Sequence, residues 1–274
     1  MILSLGITPK RFAPLGSSND ADAQAFIDAA GITDATQQSA VNQLVVDLKS
    51  ANIWTKMKAI YPIVGGTSST HKWNLKDPRD LDAAFRLTFT TGWTHSSNGM
   101  LPNGTSAYAN TFLIPNTTLT LLNTHLSFYS RTSAIGNLQR DLSAFTNGTF
   151  PSFSLGTNTG VLVSDHYWFT NNRISRTIPN AQGLMLTSRT NDTTHKSYRN
   201  GLQLGATDTI SNSGRSMPLI PLFLGAANVA PQSVSNFSNK QFAFATIGSG
   251  FTDADTLNFY NTIQTFQTTL GRQV

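Results

Sequence analysis

All fourteen acidic residues of this sequence are aspartates, and cysteine is absent. Glutamate is the usual acid of sugar-bond hydrolysis and of many general-base steps, and cysteine is a common nucleophile and zinc ligand. A retaining glycosidase needs two carboxyl groups about 5 Å apart, generally at alternate positions of one strand. No Asp-x-Asp-x-Asp pattern falls on an expected strand, so the chain is read as non-enzymatic. The densest acidic group, Asp77, Asp80 and Asp82 in Lys76-Asp-Pro-Arg-Asp-Leu-Asp, has oxygens that a calcium ion, with its roughly six to eight ligands, would accept. Arg79 and Arg86 stand beside these aspartates, which favours turn capping and ion pairing, and no metal is expected. The five histidines, His71, His95, His125, His166 and His195, lack zinc spacing and are read as scattered residues with ordinary hydrogen-bond partners. Gly65-Gly66 is not followed by Gly-Lys-Ser/Thr, so a phosphate loop is absent and no cofactor is expected.

The aromatic residues near turn clusters have more to offer: Trp73, Trp93 with His95, Tyr108 and Trp168. Sugar recognition uses an aromatic face beside amide and hydroxyl donors, which makes these five the candidate ligand-binding residues. Core or inter-subunit packing is the competing reading for each.

Their setting is polar and weakly charged. Thr, Ser and Asn make up nearly a third of the 274 residues, charged residues only 12%, and the net charge of +5 comes from scattered groups. No Lys/Arg cluster suggests a nucleic-acid partner. The apolar start precedes its basic pair, the reverse of a secretory leader, and no apolar run is long enough to insert in a membrane. The triplets Asn103-Gly-Thr105 and Asn147-Gly-Thr149 are therefore read as turns. With 39% apolar residues the chain can bury a sizeable core.

Helical periodicity appears first between Asp20 and Tyr61. One helix is expected from Asp20 to Ala30, stopped by Gly31. A second starts at Thr33 or Asp34 and carries Val41, Leu44, Val45 and Leu48 on one stripe. Ile53, Trp54, Met57 and Ile60 continue the apolar pattern towards Pro62, with Trp54 and Met57 as core. Beyond Gly65-Gly66 the period becomes two. Phe85, Leu87 and Phe89, then Leu126 and Phe128, then Phe242, Phe244 and Thr246 mark half-buried strands. Asn98-Gly99, Asn103-Gly104, Asn147-Gly148 and Asn200-Gly201 punctuate them, and Tyr198 to Leu204 reads as a tight type I′ hairpin. At the end, Thr252 with Asp255 forms a capping-box variant, and Gly271 stops the helix it begins. The expected organisation is an extended arm over residues 1–19, a helical segment over 20–62 and a β-sandwich domain over 63–274.

From about Gly183 onward the sequence is similar to the later half of concanavalin-like, laminin-G-type jelly rolls. The residues concerned are Leu184-Met185-Leu186-Thr187, Asn200-Gly201, Leu222-Phe223-Leu224-Gly225, Gln241 to Gly248 and the helix from Thr252. The implied fold is mainly β, a concanavalin-like antiparallel β-sandwich (jelly roll) with an N-terminal helical pair and a C-terminal helix. Residues 20–135 resemble virion structural proteins of bacteriophages of Bacteroidota hosts. The resemblance runs through the Asp20 to Ala40 stretch, Ile60-Tyr-Pro-Ile-Val-Gly-Gly, His71-Lys-Trp-Asn-Leu-Lys-Asp-Pro-Arg-Asp, Gly92-Trp-Thr-His, Pro102-Asn-Gly-Thr and Tyr108-Ala-Asn-Thr. It returns at the Phe-Gln-Thr-Thr-Leu-Gly-Arg-Gln-Val terminus.

This resemblance implies a virion component, a surface spike or fibre protein whose partners are other virion proteins and further copies of itself. It carries over no catalytic residue. Three alternatives stay open: a lectin-like module attaching to host surface glycan, a capsid-shell or decoration subunit, and a polysaccharide-degrading enzyme.

Overall fold

The computed structural model describes residues 19–146, 151–166, 173–231 and 233–274. The arm before residue 19, the Asn147-Gly148 turn and Trp168 lie outside the described residues.

Among these residues two sheets stack, one of eight strands and one of nine, with helices as a third layer. The first sheet runs in the order Leu202–Gln203, Thr194–Arg199, Gly183–Asn191, Thr124–Ser130, Phe242–Gly248, Gly99–Pro102 and Trp93–Ser96. The second runs Arg173–Thr177, Val161–His166, Ser152–Asn158, Gln139–Phe145, Phe223–Leu224, Ala109–Asn110 and Thr88–Phe89. The described pairings are antiparallel except that Ala227–Val229 lies parallel to Gln139–Phe145. The fold is thus a mainly β sandwich with a few helices.

Local signals place the helices. Asp20 accepts from the Asp22 amide at the head of Ala21–Ala30, and Gly31 ends that helix in the left-handed region. Asp34 accepts from the Gln37 amide at the start of Ala35–Ser50. Thr252 and Asp255 cap each other's backbone at the start of Asp253–Thr269. Asn200 and Gly201 have φ of 50° and 78°, as a two-residue I′ turn requires, and they set Tyr198 opposite Gln203.

Three expectations need correction. The apolar run after Ser50 does not prolong the helix: Trp54–Lys56 is a 3₁₀ turn, and Met57–Tyr61 is a strand on Phe242–Gly248. Four apolar residues in eight suit a buried strand as well as a helix, and a partner strand decides between them. The strand expected across Phe85 to Phe89 shrinks to Thr88–Phe89, because Asp82–Ala84 forms a 3₁₀ turn and Phe85 takes φ of 59°. The strands expected to be half-buried are buried at every position in Thr124–Ser130 and Phe242–Gly248. Alternate residues face two cores. Tyr129, Leu186 and Phe244 pack with Val41, Leu44, Phe259 and Phe266 under the helices. Leu126, Phe128 and Ile247 pack with Leu142, Phe153 and Leu155 between the sheets.

Candidate functional site

Three short elements meet at one corner of the sandwich: the hairpin Trp93–Ser96 with Gly99–Pro102, the edge strand Thr88–Phe89, and the helical turn Ser68–His71. The two-residue Ser97-Asn98 loop closes the hairpin and keeps Trp93 and His95 on one face, two residues apart. The Trp93 indole donates through Nε1 to the Tyr108 carbonyl at 3.1 Å and packs on Phe242 at 6.2 Å between centroids. A side chain at Gly225 would come within 3.1 Å of the indole, so this glycine makes room for the ring. Phe89 meets Trp93 and His95 edge-on, at 5.6 and 4.8 Å.

His95 is set by a second histidine. The Gly66 amide, which can only donate, reaches His71 Nε2 at 3.1 Å, so the proton of neutral His71 is on Nδ1. That proton is donated to His95 Nδ1 at 2.9 Å, which leaves the His95 proton on Nε2. Burial pushes His71 down to about 3, with His95 and Arg272 adding to the effect. Burial also lowers His95. Both rings are neutral near pH 7, and His95 offers a fixed Nε2–H donor.

The result is a shallow trough of 270 Å³ lined by Ser68, Phe89, Thr90, Thr91, Trp93 and His95. A second hollow of 270 Å³ shares Ser68 and Phe89 with it and adds Lys72, Arg86 and Thr88. The two hollows adjoin at these shared residues, one with an aromatic lining and the other with a cationic one. The cations are partly neutralised: Lys72 and Arg86 both reach Asp80, at 2.6 and 2.9 Å, and Arg86 reaches Asp82 at 2.8 Å. Arg79 pairs with Asp77. The acidic loop is therefore occupied by ion pairs, and the described residues contain no cluster of three metal-ligating groups.

The candidate residues thus divide. Trp93 and His95 share the trough. Tyr108 lends it a carbonyl, but its ring stacks on Phe223 at 4.4 Å. Trp73 bonds to the Ser69 carbonyl at 2.9 Å, with the Lys72 ammonium 4.7 Å over its ring. Sequence reasoning missed Phe89 and Ser68 as trough residues. It also missed His71, whose Gly65-Gly-Thr-Ser-Ser-Thr-His context resembles an ordinary turn.

The histidines are not scattered, contrary to expectation. His166 and His195 approach to 4.0 Å between ring centroids inside the sandwich, bridged by Thr187 Oγ1 at 3.1 and 2.9 Å. Burial drives His166 well below its ordinary value and His195 to about 4. Ser164, His195 and Asp208 lie in a row that imitates a hydrolase triad, but Ser164 is 3.5 Å and Asp208 3.8 Å from the ring. Those gaps exceed the roughly 2.6–3.2 Å of a working nucleophile and base, and Ser164 and His195 are fully buried. This group is polar core.

No protein-family model and no curated protein matches the chain. Similarity appears among solved structures. The binding domain of botulinum neurotoxin DC in complex with rat synaptotagmin II matches with TM-score 0.52 and 12% identity, over 77% of this chain and 52% of that one. A botulinum neurotoxin type C structure, whose cell entry is described as dependent on two ganglioside molecules, matches with TM-score 0.51 and 11% identity, over 78% and 53%. A Trypanosoma rangeli sialidase matches with TM-score 0.45 and 10% identity over 39% of its length, too weak to carry an argument. The chain spans about half the length of the neurotoxin structures, and the likeness is one of fold.

Proposed function

We propose that this chain is an attachment module that binds host surface glycan in the trough of Phe89, Trp93 and His95. The carrying observation is the locked His71–His95 pair, which fixes a neutral N–H donor beside two aromatic faces and the hydroxyls of Ser68 and Thr91. Sugars are recognised by this combination of stacking face and directed donors. Two folds of similar shape belong to proteins described as engaging synaptotagmin II or gangliosides, which supports the reading by analogy alone. The particle context, the concanavalin-like jelly roll and self-association rest on the sequence resemblance. In that reading the module is displayed on a virion surface and does no bond chemistry.

The test is binding of the full chain to immobilised host polysaccharides. Trp93→Ala and Thr91→Arg, the latter filling the trough from an exposed position, are expected to weaken binding about tenfold or more. Silence of the intact chain across those polysaccharides would end the proposal. Incorporation into particles despite that silence would leave scaffolding as the role.

A further inference from the structure

A second recess, independent of the trough, lies on the nine-stranded sheet. Its volume is 180 Å³, and its lining includes Arg140, Phe145, Val229, Ser233, Ser235 and Asn236. Arg140 is only 1% exposed, and neither its Nη1 nor its Nη2 has a hydrogen-bond partner. The nearest carboxylate is already engaged. Arg173 holds Asp165 with two bonds, Nε to Oδ1 at 2.8 Å and Nη2 to Oδ2 at 3.0 Å, and Ser154 donates to Oδ2 at 2.7 Å. Arg140 Nη2 lies 3.1 Å from that same oxygen without hydrogen-bond alignment. Asp141, the next acid, is held through Oδ1 alone, by Lys240 at 3.3 Å and by Ser238 at 2.6 Å, and its Oδ2 makes no hydrogen bond to Arg140.

The charges do not balance. Among the described residues, Arg140, Arg173 and Lys240 pair with Asp141 and Asp165, three cations to two carboxylates. Burial accordingly lowers Arg140 to about 10. A buried guanidinium whose one ion-pair contact lacks hydrogen-bond alignment is costly, and its planar fork matches a carboxylate held by two parallel bonds.

We propose that this recess is a binding site for the carboxylate of one acidic sugar unit, with Arg140 as its anchor. The Phe145 ring, 5.4 Å from the guanidinium, and Val229 provide an apolar wall, while Ser233, Ser235 and Asn236 face the hydroxyls. The volume is below the roughly 300–1,000 Å³ of drug-sized pockets, which limits the occupant to a single residue of a chain or a free uronic acid.

The experiment titrates the full chain with sodium glucuronate, with sulfate and with glucose, read by calorimetry and by the shift in Tm. Glucuronate is expected to bind and raise Tm, sulfate to bind more weakly and glucose not at all. Arg140→Met, in which Arg173 and Ser154 still hold Asp165, is expected to lose about tenfold or more in glucuronate affinity. Ser235→Asp supplies an internal carboxylate and is expected to abolish glucuronate binding while raising Tm, and it decides the question alone if Arg140→Met does not fold. Failure of glucuronate to bind the intact chain, or wild-type affinity in Ser235→Asp, would overturn the proposal. Equal binding of sulfate and glucuronate would overturn the sugar-acid assignment. Thr91→Arg leaves this site intact, so failure here is separable from failure of the trough.

Discussion

Single residues carry much of the structure's polar bookkeeping. Arg272, just past the helix Asp253–Thr269, is 1% exposed, and its guanidinium is held by several acceptors. It donates to the carbonyls of Ile63, Pro62 and Ala243 at 2.7, 2.8 and 2.9 Å, and to Gln267 Oε1 at 2.6 Å. It ties the end of the chain to the segment leaving Met57–Tyr61 and to the central strand Phe242–Gly248. Replacing it with Met would orphan three buried acceptors, the Ile63 and Pro62 carbonyls and Gln267 Oε1, while Ala243 keeps its bond from Gln267 Nε2; at about 1–3 kcal/mol each, a total loss of about 3 kcal/mol or more is expected in urea unfolding. Lys, a single point charge, cannot span the set, and a Lys variant of near wild-type stability would refute this account. Gly156 is a second such position. An added Cβ would meet the Gln139 carbonyl at 2.1 Å across the strand pair. Gly156→Ala should cost about 1–3 kcal/mol in the same measurement, since paired backbone has no room to yield.

Among the elements, the C-terminal helix shows how a local signal becomes a tertiary one. Its capping box is legible as Thr252-Asp-Ala-Asp255, and Asp255 goes on to pair with Lys56 at 2.6 Å, at the foot of Met57–Tyr61. Thr252→Ala removes the two bonds of the hydroxyl, from the Asp255 amide and to the Asp255 carboxylate, and should lower stability by about 1 kcal/mol at unchanged denaturant sensitivity, because the helix still docks through Phe259, Ile263 and Phe266. A change below the error of equilibrium unfolding would show that packing alone holds the helix. The hairpin at Asn200-Gly201 was equally readable, because both residues must take positive φ whatever surrounds them. Phe85 was not readable, because its alternation with Leu87 and Phe89 is a strand pattern and its left-handed φ follows from the 3₁₀ turn before it.

For the molecule as a whole, the buried histidines set the response to acid. Burial lowers His125 and His195 to about 4, and His71 and His166 are lowered by the same cause. Below about pH 6.5 the unfolded chain binds protons that the folded chain refuses, so stability is full above that pH and falls as pH drops towards about 4. Each ring held at about 4 contributes on the order of 3 kcal/mol to that loss. The ion-paired aspartates act in the same sense but lower, since Asp77, Asp80 and Asp253, held down by Arg79, Lys72 and Lys196, lose their contribution only as pH falls through their depressed values. Urea midpoints measured from about pH 7 to about pH 4 should therefore fall steadily, and His195→Gln should flatten the curve. A flat wild-type curve over that window would remove the histidine explanation.

Sequence alone determined what depends on near neighbours: a helix start near Asp20 and another at Thr33 or Asp34, the cap at Thr252, the stop at Gly31 and the Asn200-Gly201 turn. These follow from backbone geometry within a few residues, which no distant partner alters. Tertiary structure decided what covers each face and which side chains meet. Thr124–Ser130 reads as half-buried until helices close one side and the second sheet the other. His71 finds His95 across 24 positions, and Arg140 comes to Asp165, already claimed by Arg173, across 25. Those meetings depend on strand order and register, which arise only when the layers pack.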